Sequence, residues 1–156
     1  PIILMLGRNI EWWVVFIASL RMGAVISPGT TQLSAKDLSY RINATNASCV
    51  VIDNINAVKL DEVIDECSSI VARIVIDAEC KDWTSYQAAM ASADDNFDSA
   101  DTDSSENSMC YFTSGTTGYS KMCIHQHSYP LGHVTTGKYW LDLKPEDLHW
   151  NISDTG

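Results

Sequence analysis

The stretch from Met109 to Lys121 reads M-C-Y-F-T-S-G-T-T-G-Y-S-K, an apolar run that passes directly into a glycine- and hydroxyl-rich loop closed by a lysine. A chain that carries it has to deliver that loop from the end of a strand. Gly115 and Gly118 let the backbone approach a ligand closely, and Thr113, Ser114, Thr116 and Thr117 add hydroxyl donors, which together make a phosphate cradle. Tyr119 and Ser120 complete the loop, and Lys121 supplies a mobile positive charge at its end. A Walker loop requires G-x-x-x-x-G-K-[ST], whereas here Ser120 precedes the lysine and Met122 follows it. The G-x-G turn of a dinucleotide fingerprint is absent as well.

The residues before the loop alternate between strand and helix signals. Pro1 to Leu6 is a short apolar run ended by Gly7, which suits a central strand covered on both faces. Asn9 caps a helix predicted over Ile10 to Met22, with Gly23 as its stop, and the apolar residues run nearly all round it, so deep burial is expected. Ala24 to Ser27 reads as the next strand, broken at Pro28-Gly29, and Ser34 to Asp37 has the form of a capping box opening a helix toward Asn46. Val50 to Asp53 and Ile70 to Asp77 read as strands, with helices over Ala57 to Cys67 and Trp83 to Ala91. Met109 to Phe112 is the strand feeding the loop, Met122 to Ile124 a returning strand, and His127 to Tyr139 a helix interrupted by Pro130, Gly132 and Gly137. Leu143 to Asp147 is a turn, and Leu148 to Ile152 is expected to start one more strand. The alternation predicts an α/β fold of βαβ units with a mostly parallel sheet, in which ligands sit at the carboxyl ends of the strands.

At 156 residues the chain can bury roughly 68 to 70% of its unfolded surface, enough for a real core. No apolar run approaches the roughly 18 residues of a membrane span. Ten basic residues against twenty acidic ones give a net charge of −10, which argues against nucleic acid as a partner, since phosphate neutralisation needs clustered Lys and Arg. Much of the acidity lies between Asp94 and Glu106, so residues 93–107 read as a solvated acidic loop ahead of the phosphate-binding loop 111–121. Five cysteines, at 49, 67, 80, 110 and 123, form no C-x-x-C pair, so no metal site is expected and reduced thiols in an intracellular compartment are the simplest reading. Asn43, Asn46 and Asn151 match N-x-[ST] by chance in the absence of a secretory signal. The chain opens with Pro1, so a targeting segment is not legible from it, and nothing in the sequence points to an oligomeric state.

Residue by residue, the loop resembles the signature loop of adenylate-forming enzymes, a superfamily that includes acyl-CoA synthetases, luciferases and peptide-synthetase adenylation domains. Their pattern is an aromatic residue, then T-S-G-T-T-G-x-P-K, and the one departure here is Ser120 in place of proline. The whole chain is similar to the N-terminal part of a medium-chain acyl-CoA synthetase. That likeness is carried by E-W-W at Glu11 to Trp13, P-G-T-T-Q-L at Pro28 to Leu33, Y-F-T-S-G-T-T-G at Tyr111 to Gly118 and W-N-I-S-D-T-G at Trp150 to Gly156.

The resemblance implies activation of a medium-chain fatty or related carboxylic acid, with ATP and Mg2+, through an acyl-adenylate to its coenzyme A thioester. It assigns Thr113, Ser114, Gly115, Thr116, Thr117, Gly118, Tyr119, Ser120 and Lys121 to the β and γ phosphates of ATP, and Gln32 to coenzyme A. His127 matches a histidine that commonly follows the loop and is expected to help cap the next helix; His125, His133 and His149 acquire no role. The resemblance places the chain as an incomplete portion of the large N-terminal domain, with no catalytic residue of its own and no activity alone. The alternative is a nucleotide-binding module that performs no chemistry. A matrix location follows for an animal protein and a cytoplasmic one otherwise.

Overall fold

The computed structural model describes residues 1–114 and 118–156. Among them Ile2–Met5 forms β1, and Ile26–Pro28, Cys49–Asp53, Ala72–Ile76, Thr84–Ser85, Asn107–Thr113 and Lys121–Gln126 form β2 to β7. These make one sheet in the order β5-β4-β3-β1-β2-β6-β7. At its centre β1 runs parallel to β2, with Ile3 opposite Ser27, and to β3, with Ile3 opposite Val50. The pairs β2 with β6, β3 with β4 and β4 with β5 are parallel too, and β7 alone is antiparallel, as the second arm of a hairpin with β6. The fold is therefore the α/β arrangement with a mostly parallel sheet that the alternation predicts.

Among the described residues four helices connect strands, α1 (Ile10–Arg21), α2 (Ala35–Thr45), α3 (Asn54–Asp61) and α4 (Tyr86–Ser92), and α5 (Tyr129–Tyr139) follows β7. Their ends follow local chemistry. Asn9 accepts from the Trp12 amide at 3.1 Å to start α1, and Ser34 and Asp37 form the reciprocal capping box of α2. Asp53, the last residue of β3, accepts from the Asn56 amide at 2.8 Å and turns the chain straight into α3. Where α1 stops, Gly23 takes a φ of +68°, and α2 ends on Asn46 at +50°, the left-handed conformation these residue types tolerate best.

The sheet is covered on both faces, which explains why β1 is apolar throughout. Ile3 and Met5 point to one side and pack with Val50, Ile52 and Val75 under Leu38 and Ile42 of α2 and Ala57 and Leu60 of α3. Leu4 and Leu6 face the other side and pack with Ile26, Val51, Ile76 and Met109 under Trp12, Val15, Phe16 and Leu20 of α1 and Tyr86 of α4. Leu4, Leu38, Ile52 and Leu60 are completely buried.

Several local expectations need correction. Rather than being deeply buried, α1 rests only one side on the sheet, and Ile10 and Trp13 stand 77% and 61% exposed because no second layer among the described residues covers them. Leu148 to Ile152 forms no strand; its Ile152 carbonyl is taken by the Arg8 side chain instead of a ladder partner. The helix expected over Ala57 to Cys67 starts earlier, at the Asp53 cap, and ends in a separate 3₁₀ turn, Ile64–Glu66. The short strand β5 occupies the first part of the helix expected at Trp83, since Thr84 and Ser85 extend the sheet beside β4 before Ser85 caps α4. Strand β2 carries Pro28 as its last residue, and α5 begins with Pro130 in its first turn, where the missing N–H costs nothing.

Between α4 and β6 the acidic residues are exposed but tethered. Arg21 donates to Ser99 Oγ at 3.0 Å, and its carbonyl accepts from the Ala100 amide at 2.8 Å. Asp94 and Asp103 accept from the amides of Asn96 and Ser105, which makes each a local turn. No helix among the described residues is long and apolar enough to cross a membrane.

The two-sided core sets a measurable contrast. Leu38→Ala empties a fully buried site and is expected to lower stability by about 2–5 kcal/mol. Ile10→Ala removes an exposed side chain and is expected to change stability by about 0.5 kcal/mol at most, both read from urea midpoints at unchanged slope.

Candidate functional site

The loop singled out in the sequence joins β6 to β7 at the carboxyl end of β6. Thr113 and Lys121 are the last ladder pair before it, and the Thr113 hydroxyl lies 3.5 Å from the Lys121 carbonyl, so the two arms leave the sheet side by side. Upstream, Met109 and Cys110 are buried in the sheet and fix the β6 arm. Thr113, Ser114 and Lys121 are exposed at the loop's mouth, as are Gly118 and Tyr119. Gly118 has a φ of +115°, a conformation that favours glycine. Gly115, Thr116 and Thr117 lie outside the described residues.

Helix α2 braces this loop from one side of the sheet. The capping box sets the helix start, Leu38 and Ile42 turn into the core, and Tyr40 and Arg41 are left on the flank next to the hairpin. The Tyr40 hydroxyl donates to the Ser120 carbonyl at 2.9 Å. Its ring stacks on Tyr119 at 4.9 Å between centroids and meets the edge of Phe112 at 6.1 Å. The Arg41 guanidinium lies over the Phe112 ring at 4.8 Å, a cation–π contact that places positive charge beside the β6 arm. Burial lowers the Arg41 pKa below the usual guanidinium range, opposed by the charge of Asp37. Neither residue was legible as part of the site, because the Tyr40 contact spans 80 positions and nothing local to α2 signals it.

The adjacent strand, β2, ends in the turn that carries Gln32. Gln32 is exposed, its amide donates to Thr30 Oγ1 at 3.3 Å, and Lys59 Nζ donates to the Thr31 carbonyl at 2.8 Å. Since β2 and β6 are neighbours in the sheet, the turn and the glycine loop lie along one edge, at the carboxyl ends of parallel strands.

On the opposite face lies a cavity of about 750 Å3, walled by Trp12 and Trp13 of α1, Tyr111 and Phe112 of β6, and the segment from Asn151 to Gly156. Arg8 donates from Nε to the Ser153 carbonyl at 3.1 Å and from its amino group to the Ile152 carbonyl at 2.7 Å. Thr155 Oγ1 donates to the Leu6 carbonyl at 2.9 Å, and Thr30 Oγ1 to Asp154 Oδ2 at 2.7 Å. The Thr30 hydroxyl, the Thr155 amide and the charge of Arg8 hold the Asp154 carboxyl below the usual 3.8.

The histidines play other parts. His127 does not cap α5: Ser128 is the cap residue and makes no side-chain bond, while the His127 amide donates to the Glu106 carbonyl at 3.0 Å. His127 Nε2 is buried and has no hydrogen-bond partner among the described residues. The His125 ring lies 4.0 Å from the Tyr129 ring between centroids, the two planes tilted by 47°. Among the described residues no group of three or more His, Cys, Asp or Glu side chains could hold a metal ion. All five cysteines are free, and Cys123 alone is exposed.

Two outcomes follow from this geometry. Tyr40→Phe keeps the stack on Tyr119 but deletes the donor to Ser120, and is expected to raise amide exchange over 118–121 by the factor that about 1 kcal/mol of local stability implies. Asp154 has a lower pKa folded than unfolded, so its stabilising contact is complete above the unfolded value and is lost as pH falls through the folded one. Thr30→Val is expected to move the Asp154 midpoint up toward 3.8, read from the carboxyl carbon shift in an NMR titration.

Residues 1–155 match the family described as AMP-binding enzyme. The chain is 39% identical over 157 residues to the mitochondrial acyl-coenzyme A synthetase ACSM3 of Homo sapiens, covering 99% of this chain and 27% of that protein. Against the mitochondrial acyl-coenzyme A synthetase ACSM4 of Mus musculus the identity is 40%, over 97% of this chain and 26% of the relative. The chain thus spans about a quarter of the length of these relatives. The crystal structure of an acyl-CoA synthetase of Brucella canis superposes with a TM-score of 0.88 at 22% identity, over 99% of this chain and 28% of that one, a likeness of fold. With the family matched almost from end to end on an α/β sheet that carries the glycine loop at its carboxyl edge, the chain belongs to the AMP-binding enzymes.

Proposed function

We propose that the complete protein carrying this chain is an acid–thiol ligase that activates a medium-chain fatty or related carboxylic acid with ATP and passes the acyl group to coenzyme A. The observation that carries this reading is the hairpin loop closed by Thr113 and Lys121, set at the strand end next to the Gln32 turn. In the first step a carboxylate oxygen attacks the α-phosphorus of ATP and the bond to the β-phosphate oxygen breaks, releasing pyrophosphate. In the second the thiol of coenzyme A attacks the acyl carbon, and AMP leaves.

On this reading residues Thr113 to Lys121 receive the β and γ phosphates. Hydroxyls and backbone N–H groups surround the leaving pyrophosphate as its charge grows, and Lys121, which joins neither ion pair among the described residues, adds a full positive charge. Mg2+ would accompany the nucleotide. The described residues offer no carboxylate cluster to fix it, so no step is assigned to the metal through this chain. Gln32, exposed at the end of β2, would contact coenzyme A. The relatives named as mitochondrial, together with five unpaired thiols, support a matrix location for an animal protein and a cytoplasmic one otherwise.

A second reading, a module that holds nucleotide without chemistry, is favoured by one observation: among the described residues no group of three or more His, Cys, Asp or Glu side chains comes together that could hold the metal ion accompanying a nucleotide. Exchange of labelled pyrophosphate into ATP by the complete protein separates the two. Acid-dependent exchange is expected, reduced about 10²-fold by Lys121→Ala. Absence of exchange with any medium-chain or aromatic acid would favour the module, and an unchanged rate in the variant would remove the loop from the mechanism.

A further inference from the structure

The hydroxyl of Thr30 takes part in two contacts that phosphate binding leaves unused. It donates to Asp154 Oδ2 at 2.7 Å, and the same oxygen accepts the Gln32 amide at 3.3 Å. A second, independent feature presses the same two segments together: Gly156 lies so close to Gly29 and Thr30 that a Cβ there would collide with their backbone. Arg8 and Thr155 hold the remainder of the segment to the carboxyl end of β1, through the carbonyls of Ile152, Ser153 and Leu6. Residues 152–156 are therefore fastened across the ends of β1 and β2. One of the fastenings is also the acceptor that shapes the turn carrying Gln32. Because the Gln32 side chain is exposed, its place depends on that turn's backbone.

We propose that Asp154 is a positioning residue for the thioester-forming step, acting through Thr30 to hold the turn that presents Gln32 to coenzyme A. This rests on the reading that Gln32 contacts coenzyme A. Asp154 makes no hydrogen bond to the described residues of the β6–β7 hairpin, and its depressed pKa keeps it a carboxylate, the stronger acceptor for the Thr30 hydroxyl. The two half-reactions should then respond differently when the contact is removed.

In the complete protein, acid-dependent pyrophosphate exchange without coenzyme A reads the first half-reaction, and the KM for coenzyme A reads the second. Asp154→Ala and Thr30→Val are each expected to raise that KM about tenfold, the order of one lost hydrogen bond to a charged group, with exchange and saturated kcat within about twofold of the parent. Thr30→Ser, which keeps the hydroxyl, is expected to retain the parental KM. The double variant Asp154→Ala/Thr30→Val should be no worse than the poorer single, because both remove one contact. If Gln32→Ala raises the KM while Asp154→Ala does not, the positioning role is wrong. A KM unchanged in Gln32→Ala would instead overturn the coenzyme A contact on which it rests. Equal losses in exchange and thioester formation for Asp154→Ala would show a support for the whole fold, and would overturn it as well.

Discussion

The pairing of β1 with a parallel neighbour on each side is the constraint from which the rest follows. A strand hydrogen-bonded along both edges and covered on both faces has no solvent-facing position, so Ile3 and Met5 serve one core and Leu4 and Leu6 the other. Parallel pairing also forces every connection to cross back over a face of the sheet. With α1 and α4 on one side and α2 and α3 on the other, the turns that leave β1, β2 and β6 all emerge at one edge. The glycine loop, the Gln32 turn and the Arg8 segment share that edge for this reason alone, although about 80 residues separate the Gln32 turn from the glycine loop along the chain.

The edge has two unlike sides. Toward α2 the loop arm is braced by an aromatic and cationic cluster, Tyr40, Tyr119, Phe112 and Arg41, which is well placed to hold a polar segment in one conformation. Toward α1 the walls are Trp12, Trp13 and Tyr111 with a single guanidinium, and the space between them is open. Phe112 and Tyr111 belong to the same strand and point to opposite faces by its two-residue period, so one pair of residues contributes to both environments.

What could be read from the sequence was whatever local chemistry decides. The Asn9 and Ser34 caps, the left-handed Gly23, the apolar β1 and the returning strand at Met122 all depend on residues within a few positions of one another. Misreadings came where a distant partner decides. The composition of α1 says that it is apolar on most sides, but how much of it is covered depends on how many layers pack on it. The run from Leu148 to Ile152 resembles a strand, yet the guanidinium of Arg8 claims the carbonyl of Ile152 and that of Ser153 just beyond it, and no periodicity encodes a contact across 144 residues. In the site, the loop and the Gln32 turn were visible as motifs, while Tyr40, Arg41 and the Thr30–Asp154 contact became visible only with the fold.

Ser120 shows how the two levels combine. A proline at that position would restrict φ and stiffen the descending arm of the loop by itself. Serine leaves the torsion free, so order there must come from contacts, and the structure supplies them on both sides of the residue. The Ser120 carbonyl is held by the Tyr40 hydroxyl, and the preceding Tyr119 ring is stacked against the same side chain. Both contacts come from one residue of α2, a helix whose start is fixed by its capping box and whose buried face is fixed by Leu38 and Ile42. Rigidity that a ring could provide within the backbone is here provided through tertiary structure, and it therefore depends on the packing of α2 against the sheet.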